Sequence, residues 1–227
     1  MSKLIVSGEK PYITKKLKES GFEIIESETI DALPEFEKNH ADIQCLRIKN
    51  TCFVLKDYPR LKNELLKTEH DVIETERRVG SKYPDNVLLN AVFFNNRLYG
   101  KLSAVDLTVR DFCLKNEIEM INVNQGYTKC SVAILGDRFI TADKGIFNSM
   151  SGRGERGLLI DAGNIGLSGV DYGFIGGCCF EKNNTVYFTG NIGKHPDYKR
   201  ILEFLSDKEI VCLSDETLYD IGGFVAV

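Results

Sequence analysis

The sequence predicts an α/β fold of five repeated strand–hairpin–helix units arranged around a central axis. Three observations predict it: four evenly spaced hairpin signals, a helical stretch after each, and chain ends that together supply a fifth hairpin.

The four hairpins pair Ile43–Ile48 with Cys52–Leu55, Val87–Phe94 with Leu98–Gly100, Cys130–Leu135 with Phe139–Thr141, and Ile175–Phe180 with Val186–Phe188. Their turns hold Lys49-Asn50, Asn95-Asn96, Gly136-Asp137 and Asn183-Asn184, a choice of residues that suits tight hairpin geometry. Counted from Asn50, the turns recur at intervals of 41 to 46 residues. One more step runs off the C-terminus and falls near Ser2, where Ile221–Val227 reads as a first strand and Leu4–Val6 as its partner. The two termini are therefore expected to be the cut ends of one hairpin.

Helical stretches follow the hairpins at Tyr12–Ser20, Arg60–Lys67, Ala104–Lys115, Lys144–Met150 and Pro196–Leu205. Pro59 and Pro196 stand where first-turn prolines belong. A short apolar strand then opens the next unit, at Phe22–Ile25, Val72–Ile73, Glu119–Val123, Leu158–Ile160 and Ile210–Leu213. A unit of this size cannot bury its own apolar face, so the copies must pack on one another. With a hairpin shared between the chain ends, the units should close into a ring without free edges. Ser151-Gly152-Arg153-Gly154 is the only linker-like stretch, and the period runs through it, so residues 1–227 read as a single domain.

Composition narrows the function classes. The chain is 43% apolar and 27% charged, as expected of a globular protein. Its formal charge of -4 argues against a nucleic-acid backbone as partner, which calls for a concentrated cationic surface. Lys10, Lys15, Lys16 and Lys18 do gather, but Glu9 and Glu19 interrupt them, which suits the solvated face of a helix. No apolar run approaches the roughly 20 residues of a membrane span, and Leu4–Val6 is too short for the core of a signal peptide. Seven cysteines without a CxxC pair give neither a zinc ribbon nor a thioredoxin-type site, and most lie in apolar runs. A reducing cytoplasm fits that usage. Oligomeric state has no signal in the sequence.

Five such units closed into a ring resemble the pentein, or guanidine-modifying-enzyme, fold. That fold includes agmatine and arginine deiminases, dimethylarginine hydrolase, amidinotransferases and a non-enzymatic ribosome anti-association factor. The sequence particularly resembles an uncharacterised bacterial family assigned to this fold. The resemblance runs through His40-Ala41-Asp42, Gln125-Gly126-Tyr127-Thr128-Lys129-Cys130-Ser131 and Asp171-Tyr172-Gly173-Phe174-Ile175-Gly176-Gly177. It implies a pentein-type α/β propeller with pseudo-fivefold symmetry and no metal or organic cofactor. In the enzymes an H-x-D motif opens the inner strand of one repeat, and the nucleophilic cysteine opens that of the second repeat after it. His40, Asp42 and Cys130 match that separation. The resemblance also places a guanidinium-binding carboxylate in the unit holding Asp171 or in the next one, holding Asp220, and likens Asn86–Gly100 to a deiminase strand. Cys130 follows Gln125–Lys129 where the deiminases carry a Gly-Gly-Asn segment, and the Asp-Gly-Pro motif of the agmatine enzymes has no counterpart.

The chemistry explains why such residues are needed. A guanidinium carbon is delocalised and electron-rich, and a thiolate that forms a covalent intermediate divides the barrier in two. An imidazole then protonates the departing amine and activates water, while carboxylates grip the planar cation. On this reading Cys130 is the nucleophile, its pKa lowered by Lys129 or a bound cation, and so the fastest of the seven thiols to be alkylated. Its other reading is a buried strand cysteine. Cys178 and Cys179 are rivals read as packing, because neighbours on a strand face opposite ways. His40 is the acid–base candidate, or else part of a surface turn before a strand. Asp42 is either its orienting partner or a substrate carboxylate. Asp171 and Asp220 either bind substrate or cap turns before glycine pairs, and Asn86 and Asn90 are further lining candidates. Two functions follow: a cysteine-dependent hydrolase or transferase for a small cationic guanidine or amidine, or a non-catalytic ring that binds a ligand, a protein or a ribosome. Fold alone does not choose between them.

Overall fold

The computed structural model describes residues 3–227, and its strands form five three-stranded sheets built to one plan. In each sheet a first strand pairs antiparallel with a second, which pairs parallel with a third reached through a helix. Along the chain the first elements are β1 (Lys3–Val6), α1 (Pro11–Glu19) and β2 (Glu23–Glu26). The second unit holds α2 (Ala41–Gln44), β3 (Cys45–Ile48), β4 (Thr51–Val54), α3 (Pro59–Leu65) and β5 (Asp71–Glu74). The third holds β6 (Val92–Phe94), β7 (Arg97–Gly100), α4 (Leu107–Lys115) and β8 (Glu119–Asn122). The fourth holds α5 (Thr128–Ser131), β9 (Val132–Leu135), β10 (Arg138–Thr141), α6 (Lys144–Ser151) and β11 (Arg156–Leu159). Last come β12 (Cys179–Lys182), β13 (Thr185–Phe188), α7 (Tyr198–Phe204), β14 (Glu209–Cys212) and β15 (Phe224–Ala226).

The chain ends meet in one sheet. Strand β15 lies antiparallel against β1, with Val6 opposite Phe224 and Leu4 opposite Ala226, and β1 pairs with β2. The turn position near Ser2 lies outside the described residues. The other turns follow their chemistry: Asn95-Asn96 and Asn183-Asn184 take positive φ at both residues, the type I′ signature that matches strand twist.

The first strand of each hairpin begins later than the sequence suggests. Ile43, Cys130 and Ile175 lie in single helical turns, α2, α5 and a 3₁₀ turn at Ile175–Gly177; Val87 and Ile221 precede β6 and β15 outside any strand. A short apolar run has no period long enough to separate a buried strand from a buried helical turn. All four residues of α2 are buried, so the alternation that marks a strand is missing. Cys130 therefore sits on a helical turn before the strand, which brings it to the end of the sheet.

Side-chain caps set the helix starts. Helix α4 starts at Leu107 because Asp106 accepts from Thr108 N at 3.0 Å. Asp143 does the same for α6 through Ile146 N at 2.8 Å. The Gly152-Arg153-Gly154 stretch is the turn between α6 and β11, with Gly154 at φ +84.

No backbone ladder joins one sheet to the next among the described residues; apolar side chains do. Each of five core clusters draws on two successive units. Val54 shares a cluster with Ile5, Phe53 with Leu98, Phe139 with Tyr99 and Val186 with Ile140, and Phe224 packs on Phe180 between the last unit and the chain ends. Burial on this scale is the main driving force available to the fold.

Candidate functional site

His40, Asp42 and Cys130 come together although His40 and Cys130 stand 90 positions apart. The imidazole, carboxylate and thiol atoms all lie within 4.8 Å of one another. His40 occupies the residue before α2, Asp42 its first turn, and Cys130 the turn α5. All three are buried, with Asp42 at 0% exposure.

Backbone contacts hold the group in place. Asp42 N donates to Gly222 O at 2.9 Å. Gly222 and Gly223, at φ +79 and +73, press against His40 and Asp42 so closely that a β-carbon at either would collide with them. Asn90 sits between Asp42 and the nucleophile candidate. Its Nδ2 donates to Cys130 Sγ at 3.0 Å, and its Oδ1 accepts from Lys129 N at 2.7 Å and Cys130 N at 3.3 Å.

Several buried polar atoms here have no partner: His40 Nε2, both oxygens of Asp42, Glu37 Oε2 and Asn86 Oδ1. Unsatisfied buried polar atoms are few in native proteins, and a cluster of them marks a place where a ligand completes the bonding. Burial, then the nearby charge of Asp220, push the Asp42 carboxyl up to about 6, against the pull of His40 and Lys129. Burial, followed by the charges of Asp42 and Asp220, pushes the Cys130 thiol well up. Glu37 is raised by burial as well. The site is thus short of positive charge, and the thiol is neutral while the site is empty. Lys129 pulls on Asp42, yet the thiol stays raised, and the expected rapid alkylation of Cys130 does not suit a buried, raised thiol.

His40 and Cys130 line a cavity of about 310 Å³ together with Glu37, Tyr127, Asp171 and Asp220. Asp171 is exposed at its mouth. Asp220 is fully buried and already engaged, accepting from Gly222 N at 2.8 Å and Phe174 N at 2.9 Å. Asn86 is buried behind Glu37 and does not line the cavity, donating to Glu37 Oε1 at 2.7 Å and Tyr127 Oη at 2.6 Å; Asn90 is the asparagine on the thiol. Cys178 and Cys179 both donate to Ile175 O, so they do not face opposite ways; Cys178 follows the 3₁₀ turn and precedes the strand. A larger cavity of about 450 Å³ lies among the hairpins, lined by Arg47, Lys49, Lys129 and Glu181 among apolar side chains, and contains none of the trio. An ion could be held by His40, Asp42 and Cys130 themselves, which would occupy the thiol and imidazole.

Glu37 is the residue that sequence reasoning missed. It lies in Glu35-Phe36-Glu37-Lys38, which reads as a solvated charged run; only its 1% exposure distinguishes it.

The profile of the family of unknown function DUF6873 matches residues 5–225. The chain belongs to that family. No curated protein matches the sequence. Among solved structures, this DUF6873 chain is similar to dimethylarginine dimethylaminohydrolase from Pseudomonas aeruginosa, a cysteine-to-serine variant complexed with citrulline. That match has TM-score 0.58 and 9% identity over 99% of this chain and 98% of that one. A dimethylarginine dimethylaminohydrolase adduct with S-methyl-L-thiocitrulline gives TM-score 0.56 and 10% identity, covering 99% of both chains. A cyanobacterial arginine dihydrolase gives TM-score 0.54 and 11% identity over 95% of this chain and 36% of its own. At such identities the likeness establishes the fold alone: the chain shares the architecture of these structures.

Proposed function

We propose that the chain is a cysteine-dependent hydrolase or transferase that cleaves a C–N bond of a small guanidine or amidine. The observation that carries this reading is the convergence of the His40, Asp42 and Cys130 side-chain atoms within 4.8 Å at one buried cavity end. A guanidinium entering that cavity meets Glu37, whose Oε2 is unpartnered, and comes to the wall behind which Asp42, with both oxygens unpartnered, stands within 4.8 Å of the His40 and Cys130 atoms. Such carboxylates suit a planar cation. Its charge also offsets the carboxylates that raise the thiol, so binding favours the thiolate.

The steps balance as follows. The Cys130 proton passes to His40 and the thiolate bonds to the guanidinium carbon. The bond from that carbon to the departing nitrogen breaks as His40 returns the proton to it, leaving an S-linked amidine. Water, losing a proton to His40, attacks the same carbon; the C–S bond breaks and the thiolate recovers that proton. An acceptor amine in place of water gives transfer. Asn90 steadies the thiolate through its 3.0 Å contact.

The wider architecture is read as one ring about a pseudo-fivefold axis, a single-domain propeller. The five cores shared between successive units support it, since each sheet then touches two others. Seven unpaired cysteines suit the cytoplasm.

The test is amine or ammonia release from a panel of guanidines, with intact-mass detection of a thiol-linked amidine. Cys130→Ser should abolish both signals, and His40→Ala should abolish turnover while the fold persists by circular dichroism. A panel that neither binds nor reacts would leave the non-catalytic ring as the reading.

A further inference from the structure

The charge of the cavity sorts guanidines among themselves. Four carboxylates lie in or beneath it: Asp42 and Glu37 at the buried end, Asp220 on its wall and Asp171 at its mouth. No lysine or arginine lines it among the described residues. A second cavity of about 330 Å³ borders the mouth, sharing Phe36 and Leu167, and carries Glu9 and Glu35 on its wall. Of the nearby cations, Lys129 pulls on Asp42 but lines the other cavity, Lys38 pairs with Glu35, Lys10 lies over the Tyr219 ring, and Lys101 lies over Tyr83.

Resting on the guanidine reading, we propose that this site takes a carboxylate-free dication, a guanidino group joined by an apolar chain to a second, amine cation. The buried end offers free acceptors on Asp42 and on Glu37, whose Oε2 is buried without a partner. Asp220 is the carboxylate already held by two backbone N–H groups, so it adds charge more than free acceptors. The middle of the cavity is apolar and aromatic, with Leu167, Val170 and Phe174, and suits a methylene chain. Tyr127, held between the Tyr83 and Phe174 rings, adds to that aromatic wall. At the mouth, exposed Asp171 meets the distal amine. A ligand carboxylate there would meet acids and no cation to pair with, an arrangement that repels it.

Four probes with one guanidine and different tails test this by calorimetry on the intact protein: 4-guanidinobutylamine, butylguanidine, 4-guanidinobutyrate and arginine. The amine-tailed probe should bind at least about fivefold tighter than butylguanidine, the reach of one partly screened ion pair. Both carboxylate-bearing probes should bind more weakly than butylguanidine. Asp171→Asn should collapse the ratio between the amine-tailed probe and butylguanidine, and Glu37→Gln should weaken all four alike. Arginine or 4-guanidinobutyrate binding as tightly as the amine-tailed probe would overturn the dication assignment and leave the guanidine reading intact. Binding by none of the four would overturn both.

Discussion

Asp42 shows the cost of assembling this site. Its carboxyl is pushed up to about 6 because burial and Asp220 disfavour its charge. In the unfolded chain it titrates near 3.9, so between about pH 4 and 6 the folded state holds the extra proton and stability falls as pH rises. Below that window the group costs nothing; above it the full penalty, on the order of 3 kcal/mol, is present. Asp42→Asn should therefore raise the melting temperature at pH 7 to 8, flatten the acid-side dependence and weaken ligand binding. Calorimetric melts at pH 4 and 7.5 check this, and equal Tm changes at both would refute the assigned cause. The same charge governs the thiol. Cys212 is exposed and should be the first cysteine alkylated, with Cys130 slow in the empty site and faster in Asp42→Asn. Mass spectrometry of partly labelled protein ranks them, and Cys130 outpacing Cys212 in the native chain would mean a thiolate before any ligand arrives.

Acidic side chains at or near the helix starts tie one unit to the next. Asp106 caps α4 and also accepts from Glu76 N at 2.9 Å and Arg77 N at 3.1 Å, just past β5. Asp197, before α7, accepts from Asp161 N at 2.7 Å beyond β11, and Glu28, beyond β2, accepts from Leu61 N of α3 at 2.7 Å. Asp106→Ala loses a cap and the acceptor of the Glu76 and Arg77 N–H groups, a destabilisation of about 2–4 kcal/mol. These backbone hydrogen bonds hold the Asp106 carboxyl below its ordinary value against the burial that opposes them. Its contribution is therefore complete above about pH 4 and is lost as pH falls through that depressed value. The difference in urea midpoint between Asp106→Ala and the parent should shrink at strongly acidic pH. Sequence could locate these helices from Pro59 and the apolar spacing. It could not show that Asp106 also joins the preceding unit, because Glu76 and Arg77 lie some thirty residues back and pair with it only in the folded chain.

Across the whole molecule, the last strand completes two cores at once. Phe224 belongs to the cluster with Phe180 and Leu4, and Val225 to the one with Ile5 and Val54. A chain ending at Gly223 loses both side chains, worth about 1.5–3 kcal/mol each, together with the ladder to β1. Against a total of about 5–15 kcal/mol, that loss should abolish cooperative unfolding or lower the melting temperature sharply. A truncated chain that melts like the parent would mean that the joined termini contribute little.

The sequence by itself determined the repeat, the hairpin turns and the pairing of the chain ends, because all three rest on local chemistry: turn residues, apolar runs and their spacing. It also singled out His40, Asp42 and Cys130 as candidates through resemblance. Tertiary structure alone decided their surroundings. Glu37 became buried within a charged run, Asn90 rather than Asn86 reached the thiol, and Asp220 was taken up by backbone N–H groups while Asp171 stayed at the mouth. Each of those outcomes depends on which distant backbone comes close enough to bond or to exclude water, and Gly222 and Gly223, pressed against His40 and Asp42, set that distance from the far end of the chain.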